Sequence, residues 1–169
     1  MHNPQLAPAL TRALEGSTAG RRVVILGVGS EIRADDAAGI LVAERIRSLG
    51  LPGVTAIAGG AAPENFTGEI RQLSPSHLVV VDAADMGEKP GTIRLILPDE
   101  ISGVSFSTHS LPLNVLTDYL QKEVGCSVLI MGIQPRSLEL DGSVCAEVTQ
   151  AIEEAVDALG RCLRQPGCP

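Results

Sequence analysis

Aromatic side chains are nearly missing from this chain of 169 residues: it has two Phe, one Tyr and no Trp. Grooves for single-stranded nucleic acid rely on rings that stack on bases, and this chain has too few rings to build one. Basic residues are also scarce. Thirteen Lys and Arg stand against 20 Asp and Glu, a net charge of −7. A duplex-binding face needs a basic stripe to displace counterions, so nucleic acid is excluded as a partner. No apolar run approaches the roughly 18 residues of a membrane span, and residues 1–20 lack the charged-then-apolar pattern of a signal peptide. No membrane partner is expected, and the expected location is cytoplasmic.

Thiol and hydroxyl chemistry is equally thin. The four cysteines, Cys126, Cys145, Cys162 and Cys168, form no C-x-x-C pair. A chain of this length buries roughly 70% of its unfolded surface and needs no disulfide staples, so free thiols are expected. The chain has no G-x-S-x-G elbow, no H-E-x-x-H helix and no Asp-Thr-Gly turn. Cys126 and Cys145 sit in mostly apolar surroundings, which favours packing over nucleophilic attack.

What is present is aliphatic. Hydrophobic residues make up 44% of the chain, and with so few rings the core must be Val, Ile, Leu and Ala. Short unbroken runs mark strands buried on both faces: Val23–Leu26, Val54–Ile57, Leu78–Asp82, Thr92–Leu97 and Val128–Ile133. Helical spacing falls over Asp35–Ser48, Pro63–Leu73, Pro112–Val124 and Val144–Leu163. The alternation predicts an α/β fold, a three-layer α/β/α sandwich with a mostly parallel five-stranded twisted sheet. Only residues 83–91 join the third strand to the fourth, too few for a parallel crossover, so that pair is read as antiparallel. Residues 1–20 read as a flexible arm with one set of helical turns, 21–165 as a single domain and 166–169 as a tail.

In such sheets ligands bind beyond the carboxyl ends of the strands. The first loop there, Gly27-Val28-Gly29-Ser30-Glu31-Ile32-Arg33-Ala34-Asp35-Asp36, opens like a dinucleotide fingerprint. The third glycine of that pattern would fall at Ile32, and two aspartates would repel a phosphate at the helix start. Nucleotide binding is therefore disfavoured. Asp35 and Asp36 could serve as a helix cap and first-turn acid, a role that suits Asp35 better. Two adjacent carboxylates cannot both cap, which leaves Asp36 free for other work. Asp82 ends the most apolar strand, where it could simply bind loop amides. His109 precedes Leu111-Pro112, where a loop histidine could simply be solvated. If the loops converge, Asp36, Asp82 and His109 form a site of two carboxylates and one imidazole, a donor set suited to Zn, Ni, Cu or Fe.

Five motifs in order then carry a resemblance. They are Gly27 to Gly39, Gly59-Gly60-Ala61-Ala62-Pro63-Glu64-Asn65, Val81-Asp82-Ala83-Ala84-Asp85-Met86-Gly87, Ser107-Thr108-His109-Ser110-Leu111-Pro112-Leu113 and Leu129-Ile130-Met131-Gly132-Ile133-Gln134-Pro135. From about Val23 to Leu163 the chain resembles the hydrogenase maturation proteases, most closely the type serving formate-hydrogenlyase-like hydrogenases. It departs from their pattern at Ser30, where an Asn is usual, and at Ala37, where a Gly is usual. The resemblance implies a cytoplasmic endopeptidase that removes the C-terminal extension of the [NiFe] hydrogenase large-subunit precursor after nickel insertion. It implies that Asp36, Asp82 and His109 are the catalytic and metal-binding positions, and that nickel is supplied by, or recognised in, the precursor. Gly59 and Gly60, lacking side chains, would let the substrate backbone approach closely, with Ser30 beside them, although the two glycines also suit a simple turn. Two other readings stay open: a chaperone that binds the metal-loaded precursor without cutting it, and a small-molecule hydrolase using the glycine-rich loop.

Overall fold

A computed structural model of the chain describes residues 4–15, 20–101, 104–106 and 112–164. Its sheet is built from β1 (Val23–Val28), β2 (Val54–Gly60), β3 (His77–Asp85), β4 (Ile93–Ile96), β5 (Ser105–Phe106) and β6 (Ser127–Ile133). Helices α1 (Leu6–Ala13), α2 (Ala38–Ser48), α3 (Thr67–Leu73), α4 (Leu113–Val124) and α5 (Ala146–Arg164) flank it. The strand order is β2-β1-β3-β6-β4, with β5 paired to β3.

Side-chain alternation along each strand separates two cores. Val23, Ile25, Val79, Val81, Leu129 and Met131 pack against α1, α2 and α5. Val24, Leu26, Leu78, Val80, Val128 and Ile130 pack against α3 and α4. The expected three-layer α/β/α sandwich is therefore present. The near-absence of rings is met by interdigitated aliphatics, with α5 adding small Ala151, Ala155 and Ala158 to the first core.

Three expectations are revised. The fourth strand is indeed antiparallel, but its neighbour is β6, with Ile93 opposite Ile133 and Ile96 opposite Ile130. It does not pair with β3. Its place is fixed by two backbone bonds across the corner, Gly91 N–H to Gln134 C=O and Gln134 N–H to Thr92 C=O, both 2.9 Å. The sheet also has six strands and not five. The end of β3 runs past the last residues its neighbours pair with, and β5 binds that overhang at Ala84 and Asp85. Finally, the N-terminal arm includes a docked helix: Leu6, Leu10 and Leu14 are buried in the first core.

The strand order reverses direction beside β1. The chain moves outward from β1 to β2 and then returns to the other side of β1 as β3. Reversals of this kind open a crevice between two carboxyl ends, and here the crevice lies between β1 and β3.

At the opposite edge, buried His77 begins β3. Its Nδ1 lies 2.9 Å from the Ser76 hydroxyl, and its ring meets the backbone of Glu15, just beyond α1. Burial is the largest influence on the ring and pushes its pKa below the ordinary value, while the nearby Arg21 charge adds to the effect. The unfolded chain then holds the proton more tightly than the folded one. The resulting stability is fully present above the unfolded imidazole value of about 6.5 and is lost as pH falls through it toward the folded value. Thermal melts should therefore show the melting temperature dropping between about pH 7.5 and about pH 5.5. His77→Gln should flatten that slope.

Candidate active site at the carboxyl edge of the sheet

The crevice is shaped by glycines that leave room for backbone. A Cβ on Gly39, at the start of α2, would lie 2.1 Å from the Val81 carbonyl and 2.3 Å from that of Val28. A Cβ on Gly27 would lie 2.2 Å from the Gly39 carbonyl. Helix α2 therefore starts directly against the backbones of β1 and β3. Just before it, a 3-10 turn, Ala34–Ala37, carries both aspartates and lies beside β3. Gly29 has φ +136°, and a Cβ there would fall 1.8 Å from the Asp36 carbonyl. That carbonyl accepts the Ser30 amide at 3.2 Å, and the Asp36 amide donates to the Arg33 carbonyl at 2.8 Å. The loop is thus folded back over its own beginning.

The two adjacent aspartates have opposite situations. Asp35 was expected to cap the helix, and no side-chain cap bond is present. Its carboxylate reaches across to the loop after β6. Oδ2 accepts the amides of Arg136 at 2.8 Å and Ser137 at 3.1 Å, and Oδ1 accepts the Cys145 amide at 2.7 Å. The Asp35 amide in turn donates to the Ser137 carbonyl at 3.2 Å. The side chain is 1% exposed and fully employed. Asp36 is 4% exposed, and its buried Oδ1 has no hydrogen-bond partner. A buried carboxylate oxygen without a partner is costly, and a cation or a donor from a bound substrate would satisfy it.

Asp82 is fully buried, opposite Gly132 of β6. Val81 is the last β3 residue that pairs with β1, so Asp82 lies just beyond that pairing, and the turn bearing Asp36 lies beside β3. Asp36 and Asp82 therefore share the carboxyl edge of the sheet. His109 lies outside the described residues. Its flanks are β5, paired to Ala84 and Asp85 just beyond Asp82, and α4, with Pro112 at its N-cap.

The other candidates have structural work of their own. Ser30 is half-buried and its carbonyl accepts the Arg33 amide at 3.2 Å. A Cβ on Gly59 would crowd Leu26 Cδ1 at 2.8 Å and the Gly27 carbonyl at 3.2 Å. Gly60 has φ +63° with open space beside its Cα, and its carbonyl accepts the Gly29 amide at 3.1 Å.

A second buried polar brace, Gln134, was given no role in the sequence reading. Its Oε1 accepts the amides of Met86 at 2.7 Å and Glu88 at 3.2 Å, and its Nε2 donates to Asp85 Oδ1 at 3.1 Å. The Gln134 bond, together with the Gly87 amide, holds the Asp85 carboxyl below its usual range. A lone Gln directly after an apolar strand was the available signal for this role. Burial, with the Asp35 and Glu147 carboxylates adding to it, pushes the Cys145 thiol up. The thiolate needed for attack is therefore disfavoured.

The arrangement is an α/β/α domain with buried aspartates at a strand-order reversal, braced by loop-to-loop hydrogen bonds. The HycI family pattern, described as hydrogenase maturation protease, matches residues 40–161. The hydrogenase 3 maturation protease of Escherichia coli K12 is 41% identical over 137 residues, covering 80% of this chain and 85% of that one. The crystal structure of the [NiFe] hydrogenase maturation protease HycI from Thermococcus kodakarensis KOD1 superposes with TM-score 0.84 at 32% identity, over 93% of this chain and 99% of that one. The solution structure of the endopeptidase HycI from Escherichia coli gives TM-score 0.70 at 39% identity, over 78% of this chain and 85% of that one. The chain belongs to the hydrogenase maturation protease family.

If Asp35 clamps the two loops, Asp35→Asn should cost about 2–3 kcal/mol, because the new amide hydrogens would face backbone N–H groups. Urea denaturation reads the loss directly. A cost below about 0.5 kcal/mol, the range of ordinary surface changes, would remove the clamp from the account.

Proposed function

We propose that this protein is a cytoplasmic endopeptidase that removes the C-terminal extension from the large-subunit precursor of a [NiFe] hydrogenase after nickel insertion. The observation that carries the reading is the buried, unpartnered Asp36 Oδ1 at the same carboxyl edge of the sheet as Asp82. The nickel belongs to the precursor and arrives with it as part of the substrate. Asp36 Oδ1 offers an oxygen whose burial is compensated only when a cation or donor is present. Asp36 and Asp82 would hold the metal through carboxylate oxygens, and His109 would complete the set with an imidazole nitrogen. A nickel ion held there supplies Lewis acidity toward the scissile carbonyl or a water.

The remaining work falls to the chain. The Asp35 clamp and the Gln134 brace fix the loops that carry and surround Asp36 and Asp82, so the donors are positioned before the substrate arrives. Gly60, with open space beside it, admits an extended substrate strand at the crevice mouth, and the Ser30 hydroxyl is available to bind its backbone. The acidic balance of the chain fits a protein partner and neither nucleic acid nor a membrane. Among the described residues no helix is long and apolar enough to cross a membrane.

Incubation with nickel-loaded and nickel-free precursor, read by mass spectrometry, tests the reading. The loaded form should lose its extension and the nickel-free form should stay intact. Equal cleavage of both would remove the nickel requirement. An intact mass in both, with stable binding, would identify a chaperone. Asp36→Asn, Asp82→Asn and His109→Ala should each lower processing by more than the roughly 10–100-fold typical of groups that only support a metal ligand. Asp36→Asn should leave the urea midpoint unchanged or raised, because Asp36 Oδ1 makes no hydrogen bond for the change to break. A clear loss of stability in that variant would reassign Asp36 to the fold.

A further inference from the structure

Ile32 and Leu140 are 63% and 62% exposed, more than any other large hydrophobic side chain among the described residues. Single exposed aliphatics are ordinary, and contiguous ones mark interaction sites. These two come from loops far apart in sequence, yet the amide of Asp141 donates to the carbonyl of Ile32 at 2.9 Å. The bond sets Leu140, the residue before Asp141, beside Ile32 on one rim. Backbone strain surrounds the pair. Ala34 has φ +40° and Asp141 φ +57°, the left-handed region that non-glycine residues seldom adopt. A Cβ on Gly142 would lie 2.8 Å from that of Ala34. The Asp35 carboxylate ties the same two loops together from beneath. The fold thus holds two aliphatic side chains in water on a rigid support, four residues or fewer from Asp36 on one side.

Charge frames the pair. Glu31, Glu139 and Asp141 are exposed beside it, against one half-buried cation, Arg33, next to Ile32, while Arg136 is engaged with Glu147. With so few rings in the chain, an aromatic anchor is lacking here, and aliphatic contact must supply the apolar part of any docking.

We propose that Ile32 and Leu140, framed by Glu31, Glu139 and Asp141, dock the folded body of the hydrogenase precursor, through an apolar spot ringed by basic side chains next to the segment being cut. The proposal rests on the processing reading and identifies how that site recognises its partner. Continuity with the crevice and the carboxylate frame select this occupant. The apolar pair supplies contact energy, while the carboxylates steer encounter and select a basic surface.

The test uses the full chain and two variants, Ile32→Ser with Leu140→Ser, and Glu31→Lys with Glu139→Lys. Each is titrated with nickel-loaded precursor, and both binding and cleavage are measured. The expected result is a rise in KM of about ten-fold or more with kcat within about two-fold, the signature of lost docking without lost chemistry. The lysine variant should also lose the salt dependence of association. Cleavage by the parent chain with unchanged KM and binding in both variants overturns the rim and leaves the processing reading intact. Binding without cleavage by the parent chain, weakened in the variants, keeps the rim and overturns processing. Binding that neither variant alters overturns the rim whether or not cleavage occurs, and a parent chain that neither binds nor cleaves overturns both.

Discussion

One carboxylate organises the carboxyl edge of the sheet. Asp35 gathers three backbone amides from the loop after β6 while belonging to the turn after β1, so two loops behave as one body. The bonds are charge-assisted and made by a buried carboxylate, which makes them strong and intolerant of change. Asp36, Ile32 and the strained Ala34 all hang from that body. Gln134 does for the loop after β3 what Asp35 does for the loop after β1, and both braces converge on the end of β6.

The adjacent acids illustrate how a fold divides its charged groups. Both oxygens of Asp35 accept amide hydrogens, and the residue stabilises the structure. Asp36, one residue on, leaves an oxygen buried without a partner and costs stability to keep. Residues of the second kind persist where a ligand completes them. The contrast separates the two roles without reference to any relative, since the chemistry of the side chains is identical and only their partners differ.

The layers and most element positions were legible in the sequence, because unbroken Val-Ile-Leu runs and 3.6-residue spacing report burial directly. The place of β4 was not. Chain order and loop length limited its direction, while its neighbour was decided by bonds at Gln134, a residue more than 30 positions further on (about the length of a βαβ unit). Strand β5 is two residues long, too short to leave a period, and exists because β3 overhangs its neighbours. The helical turns of α1 were legible but their docking was not, although Leu6, Leu10 and Leu14 keep a four-residue spacing that buries one face. At the site, the placement of Asp36 and Asp82 at the carboxyl edge of the sheet was legible, because each follows or ends an apolar strand run. The clamp by Asp35 was not legible, because its amide partners have no side-chain identity for a sequence to display.

The contacts of Gly39 with the carbonyls of Val81 and Val28 carry a further consequence. At that contact the start of α2, directly after the turn bearing Asp36, meets main chain and not aliphatic side chains. Core residues on either face can change size and shape over evolutionary time with little effect on that contact. This part of the site is therefore insulated from drift in the aliphatic core, and it depends on a position that has no side chain to vary.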